Sequence, residues 1–205
     1  MRIRFQGFGN SAYRSREVGE ALRTLERAML LHLLYPVTGY ELPLLPDRKR
    51  SPRLQFLDVG LMNYKAGLQA SLLEVEDLND LYRGRIAEQI VGQELLARST
   101  RALEPPRFWV RDKNQSQAEV DFVLPFNGGV IPVEVKSGST GRLRSLHQYV
   151  ARSKCTVALR LYAGPLRIDS LETPDGQAFR LLSLPYFLAA RIEEYLQWLG
   201  DRGET

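Results

Sequence analysis

The run AEVDFVLPFNGGVIPVEVK at 118–136 leaves the chain few folding options. Two alternating segments flank Asn-Gly-Gly, and period-two alternation across such a turn predicts an antiparallel hairpin with an apolar face. In the second segment Ile131, Val133 and Val135 fall on one face, with Glu134 and Lys136 on the other. In the first, Val120, Phe122 and Leu124 oppose Glu119 and Asp121. Carboxylates on adjoining strands can converge, and two of them in a cleft make a hard oxygen site suited to Mg2+ or Mn2+. An ammonium beside Glu134 can act on a water at the same spot.

The surroundings of the hairpin set the fold class. A long amphipathic helix over 77–99 precedes it, and PRFWVRD reads as a strand between the two. GRLRSLHQYVARS then reads as a helix and CTVALRLYA as a strand. FRLLSL is a further short strand, and LPYFLAARIEEYLQWLG closes as a helix with Pro185 at its first turn. The order α-β-β-β-α-β predicts an α/β domain with a mixed sheet flanked by helices, over 59–205. Within the long helix Gly84, Glu88 and Gly92 recur at steps of four. Each interior glycine costs roughly 1 kcal/mol relative to alanine, so close packing of this face on the sheet is expected, with Glu88 brought toward the strand carboxylates. Gln148, in the next helix, can hydrogen-bond at the same cleft.

Residues 1–58 have a different character. They hold ten Arg and Lys against six Asp and Glu, whereas the remaining residues hold eighteen of each, so the net charge of +4 belongs to this segment. SREVGEALRTLERAML predicts a helix with Val18, Leu22, Leu25 and Met29 on one face and Arg16, Arg23 and Arg27 in a stripe opposite. Ser15 stands at its N-cap with an incomplete capping box. LLHLLYPVT and RLQFLDVG read as strands around a basic, proline-rich loop. Helix, strand, basic loop, strand is the order of the second half of a winged helix, and a basic stripe there suits DNA phosphates. The plain alternative is a helical hairpin whose arginines pair with Glu20 and Glu26 on a solvated face.

Glu88 on a helix, Asp121 on a strand, Glu134-x-Lys136 on the next and Gln148 on the following helix resemble the PD-(D/E)XK nuclease superfamily. More closely, YRSREVGEALRTLE, SPRLQFLDVGLMNY, YRGRIAEQIVGQEL, SQAEVDFVL, IPVEVKSG and GRLRSLHQYV are similar to the C-terminal half of a bacterial and archaeal family of AAA-type ATPases of unknown function. There an ATPase core leads into a winged helix and a nuclease-like domain. The resemblance implies that Asp121 and Glu134 hold the metal, with the Val135 carbonyl as a further ligand. It implies that Lys136 acts on the water or the phosphate, that Glu88 completes the site or holds a second ion, and that Gln148 positions Lys136 or the water. No G-x-x-x-x-G-K-[ST] motif occurs in the sequence, so no phosphate cradle for ATP is expected in it.

These readings together expect a Mg2+- or Mn2+-dependent nuclease acting on DNA. The alternative is a non-catalytic nuclease-like module that binds DNA or protein beside a partner ATPase, or as a homo-oligomer. A single cysteine, Cys155, excludes an internal disulfide and fits a cytoplasmic setting, and no apolar run is long enough for a membrane span. Cys155 is expected in the core, Asp58 as a turn carboxylate, His147 as a structural histidine and Lys113 as a solvated loop residue.

Overall fold

The computed structural model describes residues 2–65, 85–98, 105–112, 118–138 and 142–201. A short 3-10 turn, Phe8–Asn10, precedes helix α1 (Ser15–Arg27) and strands β1 (Leu31–Leu34), β2 (Pro36–Val37) and β3 (Arg53–Phe56). Helices α2 (Val59–Lys65) and α3 (Arg85–Ala97) follow, then β4 (Arg107–Val110), β5 (Glu119–Phe126) and β6 (Gly129–Lys136). Helix α4 (Arg144–Ser153) leads to β7 (Val157–Tyr162), β8 (Arg167–Glu172) and β9 (Ala178–Pro185), and a 3-10 turn, Tyr186–Arg191, runs into α5 (Ile192–Asp201).

One mixed sheet, in the order β2-β4-β5-β6-β7-β9-β8, forms the centre. The β5–β6 turn is the one the sequence predicts: Asn127 and Gly128 have φ of 46° and 77°, and Phe126 pairs with Gly129. Two successive left-handed residues match the twist of the hairpin, and glycine adopts that conformation without steric cost. From β6 the chain crosses through α4 to β7, which pairs parallel to β6. Side-chain alternation divides the core. Phe108, Val110, Val133, Val135, Leu159 and Leu161 pack with Ala87, Val91 and Leu95 of α3 and with Ile192 and Leu196 of α5. Trp109, Val123, Val130, Ala158 and Leu181 pack with Leu146, Tyr149 and Val150 of α4. The fold is therefore α/β, a mixed sheet with helices on both faces.

The N-terminal segment is stitched to this body. β1 and β3 pair antiparallel as a separate two-stranded ribbon, while β2 joins the main sheet parallel to β4. Val18 and Leu22 of α1 pack with Ile3, Leu31 and Leu33. The expected stripe continues to Leu25 and Met29, but both are exposed, and the helix ends at Arg27, so Met29 lies beyond it with a left-handed φ of 57°. Arg14, not Ser15, occupies the N-cap, and Glu17 Oε2 accepts its backbone N–H at 2.7 Å. Two elements have no counterpart among the sequence expectations: α2, and the edge strand β8, whose residues are exposed or half-buried. The Gly84 and Lys113 expectations fall outside the described residues.

Candidate active site

The carboxylates gather where β5 departs from regular pleating. Arg107 pairs with Val123 but Trp109 with Val120, so β5 carries one extra residue between them. Such a bulge breaks alternation and re-aims a side chain. Val120 and Val123 consequently enter the same core cluster, and Val120 does not share a face with Phe122 and Leu124 as regular alternation predicts. Asp121 sits in the bulge, and its Oδ2 accepts the backbone N–H of Val135 at 2.9 Å. A side-chain carboxylate thus bonds a β6 amide, which fixes it against the strand that carries Glu134 and Lys136.

Glu134 and Lys136 pair with each other, Nζ to Oε1 at 2.5 Å. Glu134 is buried, and its other oxygen, Oε2, has no hydrogen-bond partner. Burial, and then the negative charge of Asp121, push its carboxyl up to about 7, against the pull of Lys136 and Arg53. Glu88 of α3 is raised for the same two reasons, burial first and Asp121 second. Asp121 therefore acts electrostatically on both Glu88 and Glu134, and Lys136 acts on Glu134.

A fifth residue, which sequence reasoning passed over, holds the group together. Arg53 of β3 is buried, with its guanidinium 4.4 Å from the Phe108 ring centroid. Its Nη2 donates to Glu119 Oε2 at 2.7 Å, and its Nη1 reaches Asp121 Oδ1 at 3.5 Å, the Asp121 carbonyl at 3.3 Å and Glu88 Oε2 at 3.9 Å. Burial works against its charge, but Asp121, Glu88 and Glu119 outweigh it and raise its pKa. Arg2 adds a second cation, 2.6 Å from Glu119 Oε1. Glu119, expected only to share the face of Asp121, is thus an anchor for two arginines.

Glutamines deliver Arg53 to this place. Gln89 of α3 accepts the Phe56 N–H at 2.9 Å and donates to the Leu54 carbonyl at 2.8 Å, so its amide pairs with β3 as a strand would. Gln93 accepts the Val59 N–H at 2.8 Å. Buried Gln55 reaches back to the Gln89 carbonyl at 2.9 Å. Its side chain fills the notch at Gly92, where an added Cβ would lie 1.9 Å from Gln55 Oε1. Gly92 therefore admits a β3 side chain, whereas the sequence pointed to close approach of the main sheet. Polar Gln89 and Gln93 beside Gly92 on an apolar helix were the available signal.

Gln148 lies on α4. Its Oε1 is buried without a partner, while the hydrogen bond of Lys136 Nζ goes to Glu134. Gln148 lines a cavity of about 500 Å3 with Arg111, Arg144, His147 and Arg152. His147 stacks edge-on to Phe179, and burial lowers its pKa. Burial raises that of Cys155, which is half-buried against the α4-side core and precedes β7, not a fully buried core residue as expected. Asp58 Oδ1 accepts the Gly60 N–H at 2.6 Å, a turn role. On α1, Arg16 pairs with Glu20 at 3.1 Å. Arg23 and Arg27 line a groove of about 440 Å3 together with Glu26, Tyr35, Arg48 and Arg107.

Two carboxylates, Asp121 and Glu134, are the candidate metal ligands. Among the described residues no group of three or more His, Cys, Asp or Glu side chains is disposed to hold a metal ion. The orphaned Glu134 Oε2 fits a cation, since a buried carboxylate oxygen without a donor is costly and a cation satisfies it.

Residues 83–181 match a family described as a domain of unknown function, DUF4143. The matched stretch holds Glu88, Asp121, Glu134, Lys136 and Gln148, and leaves out α1 and Arg53. No curated protein and no solved structure matches the chain. Among the described residues no helix is long and apolar enough to cross a membrane.

Proposed function

We propose that this chain carries a metal-dependent phosphodiesterase site acting on DNA, in a nuclease-like domain of the kind attached to AAA-type ATPases. The observation that supports it most is the buried, unpartnered Glu134 Oε2, set beside Lys136 and in the field of Asp121. Asp121 and Glu134 would hold Mg2+ or Mn2+, which supplies a Lewis acid and a water of lowered pKa when bound. Lys136 then orients the water and offsets charge on the phosphate. The water oxygen bonds to phosphorus as the bond to the leaving alkoxide breaks, and the proton finishes on that alkoxide. Glu88 adds negative charge to the same cluster. The Arg23, Arg27 and Arg48 groove offers phosphate contacts away from the scissile bond.

Calorimetric titration with Mn2+ tests the ligand assignment. Saturable binding should appear in the wild type, survive in Lys136→Ala and disappear in Asp121→Ala, because Lys136 is not a ligand and Asp121 is. Binding that Asp121→Ala leaves intact would remove Asp121 from the site. A second reading, a non-catalytic module that docks DNA or a partner ATPase, draws support from Arg53, which already neutralises much of the acidic cluster. In that case metal binding would be absent and DNA binding alone would remain.

A further inference from the structure

Four carboxylates, Glu88, Glu119, Asp121 and Glu134, share this cluster with three cations, Arg2, Arg53 and Lys136. Arg53 is held unevenly. Its bond to Glu119 is short, but its approaches to Asp121 Oδ1 and Glu88 are 3.5 and 3.9 Å, and its Nε has no hydrogen-bond partner. A guanidinium can donate five hydrogen bonds, and this one leaves its Nε–H unused. On the Asp121 side, then, the guanidinium supplies charge with weak hydrogen bonding. The side chain of Glu134 is only 8% exposed and keeps Oε2 unpartnered, so one buried acceptor of the cluster is left for another cation.

We infer that Arg53 is the resident counter-cation of this cluster, and that a divalent ion binds at Asp121 and Glu134 only by displacing its guanidinium from Asp121. This rests on the reading of the cluster as a cation site. Arg53 and the ion would contend for the same Asp121 oxygen, and like charges this close repel strongly in a buried setting. Arg53 rides on β3, which Gln55, Gln89 and Gln93 fasten to α3. Docking of the β1–β3 ribbon therefore governs whether the cluster can take a metal. A partner that shifts the ribbon would open the site.

The test is a Mn2+ titration of the purified full chain at one pH, read by calorimetry and by thermal melting. Arg53→Met keeps the apolar stem and deletes the charge. It should bind Mn2+ on the order of tenfold tighter than the wild type or more. It should melt lower without metal, because its buried carboxylates lose their partner, and recover saturably as Mn2+ is added. Arg53→Lys keeps the charge and should stay within about threefold of the wild type. A folded Arg53→Met with wild-type or weaker affinity overturns the inference. If Arg53→Met does not fold at any Mn2+ concentration, hydrogen exchange on the wild type decides. Saturating Mn2+ should then speed exchange of the β3 amides, and unchanged exchange overturns the inference. Tight Mn2+ binding by Arg53→Met without DNA cleavage would uphold the inference and remove the nuclease reading. Cleavage by a wild type whose metal affinity Arg53→Met leaves unchanged would do the reverse.

Discussion

Glu134 shows how burial and a neighbouring charge raise the pKa of a carboxyl. Its folded value of about 7 stands above the ordinary 4.5. The folded chain thus holds this proton more tightly than the unfolded chain does. The associated stability is fully present below about pH 4.5 and is lost as pH rises through about 7. In metal-free protein, Glu134→Gln should remove this loss. Variant and wild type should be alike near the low end, and the variant more stable above the high end. At roughly 1.4 kcal/mol per pKa unit the gain is at most about 3 kcal/mol. Urea denaturation over a pH series measures it, and parallel pH profiles for the two proteins would show that folding leaves the Glu134 pKa unshifted. The sequence exposed Glu134 and Lys136 through plain alternation on β6. It did not expose Arg53, because an arginine in RLQF looks like any edge-strand base until tertiary packing places Glu119 and Asp121 within reach.

At the level of elements, β6, α4 and β7 are legible because each keeps one period throughout, and the Asn-Gly turn dictates its own geometry. The bulge in β5 is not, since an inserted residue leaves no mark in composition. β8 is not either: RIDSLE is an edge strand with no well-buried face, and its place comes from pairing with β9. The α3–β3 joint was half legible. Gly92 marked a close approach, but the partner is Gln55 and not the main sheet. Gly92→Ala should therefore destabilise the chain in spite of alanine's better helix propensity, worth about 1 kcal/mol. The displaced Gln55 amide loses its bonds to the Gln89 and Phe56 carbonyls. Each bond left unmade in a buried site costs roughly 1–3 kcal/mol, so a net loss is expected. In a Gln55→Ala background the same glycine change should be neutral or stabilising. A double-mutant cycle by chemical denaturation reads the difference, and additive effects would dissolve the proposed joint.

At the scale of the whole molecule, acidic and basic regions occupy different places. The acidic cluster lies where β3, β5 and α3 meet, and the basic groove runs beside α1 with Arg23, Arg27 and Arg48. The arginine stripe read from helical spacing divides in the fold. Arg23 and Arg27 share that groove, whereas Arg16 pairs with Glu20 in solvent. If the groove takes DNA phosphates, Arg23→Ala with Arg27→Ala should flatten the dependence of affinity on salt, by about 0.9 in log–log slope for each phosphate no longer neutralised. Arg16→Ala should change it little, and an unchanged slope in the double variant would assign the groove to solvent. The exposed Leu25, Met29 and Leu30 extend an apolar edge from the same helix end. The central claim, that the buried carboxylates and Lys136 hydrolyse DNA, is tested most directly by a plasmid-nicking assay on the purified chain with Mg2+ or Mn2+. Nicking by the wild type that is lost in a folded Lys136→Ala with intact Mn2+ binding is the result expected. Equal nicking by the two proteins, or none by a wild type saturated with metal, would contradict it.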